Sequence, residues 1–194
     1  MAKPKLEDLE RVEIKSTADL RDWLQKNCES EKSIWLVTYK KRVPERYVSY
    51  DEIVDVAICF GWIDSLPRKL DERRTMLLLS PRKPGSAWSA VNKERVDRME
   101  AERLIHPRGV AAIEAAKKDG SWDFLNDVDQ LIEPDDLKAA LEETAEARAK
   151  FDGFSRSSRR GILEWIKQAK RAETRAKRIS ETARLAALGV KANH

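Results

Sequence analysis

Histidine and cysteine are scarce in these 194 residues, with two of each. Cys28 and Cys59 do not make a disulfide framework. A histidine metal centre or a Ser-His-Asp triad would have to rest on His106 or the terminal His194. His106 stands in a His106-Pro107-Arg108-Gly109 turn without a partner at ligand spacing, so neither a metal nor a cofactor is expected. Cys59 falls near the C-terminal end of a predicted helix, where the dipole disfavours a thiolate, and its neighbours Ile58 and Phe60 are apolar; it reads as packing. Long apolar runs are also missing, and no window approaches the roughly 18 residues of a membrane span. The stretch Met1-Ala2-Lys3-Pro4-Lys5-Leu6-Glu7-Asp8 has no apolar core or cleavage site, which makes the cytoplasm the expected compartment. There is no internal repeat, no low-complexity tract and no Gly-Lys-Ser/Thr phosphate loop.

What is present is charge and tryptophan. Charged residues make up 37% and hydrophobic ones 41%, with six tryptophans, enough for one substantial core or one main domain with an appendage. The net charge of +4 is unevenly spread. From Asp123 to Glu146 nine acids stand against the single Lys138, whereas from Lys150 to Lys191 twelve Lys/Arg stand against four acids. Such asymmetry suits either a basic end docked on an acidic segment of the same chain, or a basic end that meets an acidic protein partner or nucleic acid.

Periodicity predicts the elements. Ser16 or Thr17 caps a helix with Leu20, Trp23 and Leu24 on one stripe. Ile34 to Tyr39, β-branched and aromatic, is a strand. Ser49 and Glu52 form a capping box for a second helix that buries Ile53, Val54, Ala57 and Ile58 and stops at Gly61. Trp62 to Leu70 and Arg73 to Ser80 fit an antiparallel hairpin, and Pro67 makes the first arm an edge or a bulged strand. A helix starts near Ser86 or Ser89 with Val91, Val96 and Met99 inward. A shorter one spans Val110 to Lys118, and Trp122, Phe124 and Leu125 plug the core. Another runs from Asp135 to about Lys150. The break from Phe151 to Phe154 precedes a helical pair: Ile162, Trp165, Ile166 and Ala169 face inward on the first helix, and the second, about Thr174 to Leu188, stops at Gly189. The expected fold is α+β, a small antiparallel sheet of about three strands packed with several helices. Residues 1–150 form the main domain, and 151–194 a basic helical pair packed on it.

The chemistry concentrates between Cys59 and Asn92. Arg82 and Lys83 supply positive charge, Pro84-Gly85 turns the backbone, and Ser86 and Ser89 stand where a helix N-terminus offers amides, with Asn92 just beyond. Those parts make an anion site for phosphate or carboxylate. By the period-two rule Asp64 shares a strand face with Trp62, Leu66 and Arg68, and Trp88 follows the basic loop. Asp64 is either a perturbed acid or base or the ion-pair partner of Arg68 or Arg74. The candidate binding residues are therefore Trp62, Asp64, Arg68, Arg82, Lys83, Ser86, Trp88, Ser89 and Asn92, and no residue is assigned as catalytic.

Several separated motifs carry a resemblance. Ile34-Trp35-Leu36-Val37-Thr38-Tyr39-Lys40-Lys41, Cys59-Phe60-Gly61-Trp62-Ile63-Asp64, Ser80 to Ser89 with Asn92, and Trp165 to Lys170 followed by Glu173-Thr174-Arg175 and Lys177-Arg178-Ile179 together resemble the YdeI/OmpD-associated family of bacterial proteins. The resemblance implies bacteriocin protection or envelope-stress resistance, transfers no catalytic residues, and implies a periplasmic setting at odds with the absent signal peptide. The leading expectation is a non-enzymatic protein that binds an anionic small molecule or acidic partner at Arg82 to Asn92. The alternatives are an enzyme acting on a phosphorylated or carboxylated small molecule with Asp64 as acid or base, and a nucleic-acid-associated protein using the C-terminal basic helices.

Overall fold

A computed structural model describes residues 5–193; the first four residues of the N-terminal stretch and the terminal His194 lie outside them. The chain forms two compact units, one running to Asp123 and one beginning at Phe124.

The first unit is built on a four-stranded mixed sheet in the order β1-β2-β4-β3. The strands are β1 (Arg11–Glu13), β2 (Ile34–Tyr39), β3 (Trp62–Lys69) and β4 (Arg74–Pro81). β2 is buried along its whole length because it is central and covered on both faces. Antiparallel β4 lies on one side of it, and on the other side β1 adds a parallel strand that the expected three-stranded antiparallel sheet lacks. β1 has three residues and one apolar position, Val12, so it carries no period of its own; it is held by pairing with β2.

Helices α1 (Thr17–Asn27) and α2 (Tyr50–Cys59) cover one face. Ser16 caps α1 by accepting from the Asp19 amide, and Leu20 and Leu24 are fully buried. Ser49 and Glu52 form the complete capping box of α2. Between these helices and the sheet lie Leu36, Leu77, Leu79, Phe60 and Trp62, each contributing roughly 1.5–3 kcal/mol by leaving water. Trp35, Val37 and Met76 make a smaller cluster on the opposite face.

α3 (Ala90–Ala101) and α4 (Pro107–Asp119) complete this unit. Ser89, not Ser86, is the cap of α3. Val96 and Met99 point inward, but Val91 is 57% exposed, and the third inward position of the helix is taken by Arg95. The Arg95 guanidinium reaches Asp55 at 2.6 Å and Asp51 on α2, which pins α3 to α2. α4 begins at Pro107, earlier than expected, since the His106 ring accepts from the Arg108 amide and so acts as the N-cap.

The second unit is helical: α5 (Asn126–Asp129), α6 (Asp135–Glu142), α7 (Ala145–Asp152), α8 (Arg156–Lys167) and α9 (Ala172–Ala187). The expected single helix from Asp135 to Lys150 is two, because Thr144 adopts an extended backbone and caps α7. α6 and α7 pack on α9, so this unit begins at Phe124 and includes more than the final pair. Ile162, Leu163 and Ile166 of α8 are buried. Leu125 is buried, whereas Phe124 lies at the surface with the Lys167 ammonium 4.9 Å from its ring.

Candidate functional site

The first unit contains a cleft of about 380 Å³ where the end of β4, the turn after it and the outer face of α4 meet. Its position follows from local chemistry. Pro81 ends β4, and the Arg82 amide donates to the Gly61 carbonyl at 2.9 Å, which ties the strand exit to the α2–β3 corner. Gly61 has a φ of +71°, and a Cβ there would lie 3.0 Å from that of Ala112; glycine alone permits this close approach. The turn then closes with Ser86 N–H donating to Lys83 C=O, and the Gly85 amide donates to Asp119 at 2.9 Å, fastening the turn to the end of α4. Alanines 112, 115 and 116 of α4 form an apolar wall.

Arg82 dominates the electrostatics. Its guanidinium carbon sits 3.6 Å from the Trp88 ring centroid, and Nη1 donates to the Ala87 carbonyl at 3.4 Å. Nε and Nη2 are buried without a hydrogen-bond partner. Burial pushes its pKa down to about 10, partly opposed by the negative charge of Asp64. Arginine is ordinarily charged to above pH 12, so at neutrality this group stays cationic while it is poorly solvated. Unpaired desolvated charge is expensive. Ser121 lines the same cleft and is 7% exposed, and its hydroxyl and amide hold the Asp119 carboxyl below its ordinary range. Of the other charges of the cleft, Arg108 pairs with Glu31 at 3.3 Å and Glu29 at 3.9 Å, and Asp119 accepts from the amides of Gly85 and Ser121.

The nine residues expected to form a site divide into five groups. Arg82, Lys83, Ser86 and Trp88 line the cleft together. Ser89 and Asn92 do not line it: the Ser89 hydroxyl accepts from the Asn92 amide at 3.3 Å, so the helix start satisfies itself. Trp62 is fully buried in the main core, edge-to-face with Trp23 at 5.7 Å. Asp64 accepts from the Tyr50 hydroxyl at 2.7 Å.

Arg68 does not share a face with Trp62 and Asp64. The register shifts between Asp64 and Pro67, so Asp64 pairs with Leu79 but Arg68 with Met76, and a one-residue bulge reverses the parity of the strand. Its guanidinium lies 5.1 Å from the Trp35 ring on the opposite side of the sheet. Arg74 pairs with Glu13 and Asp71, so neither arginine expected to pair with Asp64 does so.

Arg108, Asp119 and Ser121 were not legible as cleft residues, because only the packing of α4 brings them to a turn more than twenty positions earlier. Tyr50, the partner of Asp64, carried one signal: it opens the helix just after the Ser49 cap. Desolvation of its phenol and the hydrogen bond to Asp64 push its pKa up to about 12, although the residue is 54% exposed.

In the second unit a groove of about 580 Å³ runs along α9, lined by alanines and Ile179, and its Asp136 and Arg175 pair with one another at 2.7 Å. Among the described residues, no group of three His, Cys, Asp or Glu is placed to hold a metal ion, and no helix is long and apolar enough to cross a membrane.

Two families match this chain. Residues 12–112, just over half of it, match the family described as a domain of unknown function, DUF8412, and the chain belongs to that family. Residues 130–189, within the second unit, match the model of the bacteriocin-protection, YdeI or OmpD-associated family, and the motifs from Trp165 to Ile179 that resemble that family lie inside the match. No curated protein and no solved structure matches the chain.

Proposed function

We propose that the chain is a non-enzymatic binding protein of the bacteriocin-protection, stress-resistance kind, and that it holds an anionic ligand, or an acidic group of a protein partner, in the cleft beside Arg82. The observation that carries this reading is the pair of buried, unpartnered N–H groups on a guanidinium that stays charged at neutral pH. An anion would supply the missing counter-charge and both hydrogen bonds, and charge-assisted bonds of that kind are the strong ones. The anion site thus rests on a side chain, since the Asn92 amide at the α3 start is already capped by Ser89.

Two features weigh against the alternatives. Asp64 faces a Tyr50 phenol whose pKa is raised to about 12, a poor partner for proton transfer near neutrality. The basic C-terminal helices spend much of their charge inside their own unit. Arg160 pairs with Asp129 at 2.7 Å, Arg159 and Arg148 both bind Glu133, Lys167 binds Asp127, and Arg175 binds Asp136. Those ion pairs take up part of the charge and so lower the number of counterions that contact with a nucleic-acid backbone would release.

The test is thermal unfolding of the wild type and Arg82→Met in sulfate, phosphate and acetate series at constant ionic strength. Saturable stabilisation of the wild type that Arg82→Met lacks is expected. Equal stabilisation of both proteins, or none, overturns the reading.

A further inference from the structure

Resting on that anion-binding reading, we infer that the cleft takes a monocarboxylate with an apolar body, its carboxylate held side-on by Nε–H and Nη2–H of Arg82. A guanidinium offers its donors along fixed edges. Here Nη1 is committed to the Ala87 carbonyl and the flat face to the Trp88 ring, so the orientation of the side chain is set from two directions. What remains is the edge bearing Nε–H and the neighbouring Nη2–H, two parallel donors that match the two oxygens of one carboxylate.

Three features favour a carboxylate over a tetrahedral dianion. The charged residues lining the cleft are Arg82, Lys83 and Arg108 against Glu31 and Asp119, an excess of one positive charge that suits a monoanion. A phosphate needs donors for its further oxygens, yet the turn amides are taken, Gly85 by Asp119 and Ser86 by the Lys83 carbonyl. Finally, the wall opposite the charge is alanine from α4, and a volume near 380 Å³ accepts the apolar body of a small acid. Ser121, beside Asp119, gives the same cleft a further polar atom for a substituent.

The two N–H groups are shut off from water, so the acid reaches them as the turn from Lys83 to Ser86 lifts. That movement breaks the bond from the Gly85 amide to Asp119.

Titration calorimetry of the full chain at fixed ionic strength, with benzoate, butyrate and inorganic phosphate as probes, tests the inference on the wild type, Arg82→Lys and Arg82→Met. The wild type is expected to bind benzoate about tenfold or more tighter than phosphate, and Arg82→Lys, which keeps the charge but not the fork, to lose about tenfold for benzoate. Phosphate binding that equals or exceeds benzoate binding in the wild type and disappears in Arg82→Met overturns the carboxylate assignment and leaves the anion site standing. Benzoate affinity in Arg82→Lys within about threefold of wild type overturns the side-on fork. If no probe binds in a manner that depends on Arg82, both the inference and the reading beneath it fail. The wild-type ranking needs no variant, so a variant that misfolds does not shelter the claim.

Discussion

Replacing Gly109 by alanine tests how α4 is seated, and with it the wall of the cleft. In a solvent-facing helix this change stabilises by about 1 kcal/mol. Here a Cβ would overlap the Cys59 carbonyl oxygen, lie 2.8 Å from its carbon and reach 3.0 Å from the Ile105 side chain. Backbone sits in the way, so a rotamer change cannot relieve the clash. The same Cys59 carbonyl accepts from the His106 amide at 2.9 Å, and pushing α4 away breaks that bond. Overpacking costs about 1–3 kcal/mol, and orphaning the buried pair costs about as much again. Set against the propensity gain, the net loss is about 3 kcal/mol, or roughly 6–12 °C in Tm for a chain of this size. Tryptophan fluorescence during thermal unfolding reads it directly, since five of the six tryptophans lie in the first unit. A Tm equal to or above wild type would refute the close approach of α4 to the end of α2.

Ser49→Ala removes the hydroxyl half of the α2 capping box, leaving the backbone amide of residue 49 to donate to Glu52, and lowers stability by about 1 kcal/mol in urea unfolding; an unchanged midpoint would mean the helix start is held otherwise. Glu133→Ala strips the shared acceptor of Arg148 and Arg159, and its largely buried position makes the loss about 2 kcal/mol or more. Glu133→Gln should recover part of that loss, and a wild-type midpoint for the alanine variant would show the cluster to be idle. The hydrogen bond from Arg175 holds the Asp136 carboxyl below its ordinary range. A carboxylate with a depressed folded pKa stabilises fully above its unfolded value, and this contribution is lost as pH falls through the folded one, here below about pH 4. Denaturant midpoints between about pH 6 and pH 3 should therefore fall more steeply for the wild type than for Arg175→Met; parallel curves would contradict the linkage.

Local signals were read well where one residue type has one dominant use. Ser49 with Glu52, the β-branched run from Ile34, and Pro67 at an edge bulge each found their place because the reason is contained within a few neighbours. Features that depend on distant packing were not legible. β1 exists only through its pairing with β2, Arg95 is buried because α2 presents Asp51 and Asp55, and Thr144 divides a run that is helical on both sides. Within the cleft the contiguous residues Arg82, Lys83, Ser86 and Trp88 could be grouped from order alone, while Arg108, Asp119 and Ser121 required the seating of α4. Arg68 was assigned the wrong face because a period-two count cannot see a bulge. The charge asymmetry, by contrast, was informative: the acidic segment from Asp127 to Asp136 takes up arginines and a lysine of α8 and α9.

The anion site stands or falls with Arg82 as a charged, desolvated donor lacking a partner. The most direct measurement is the Nε–Hε signal of Arg82 in a two-dimensional nitrogen–proton NMR spectrum at neutral pH, assigned by its absence from Arg82→Met and followed through a benzoate titration. The account predicts a signal protected from solvent exchange that moves downfield and saturates as benzoate is added. A signal that exchanges as fast as those of surface arginines, or that stays still throughout the titration, would contradict it.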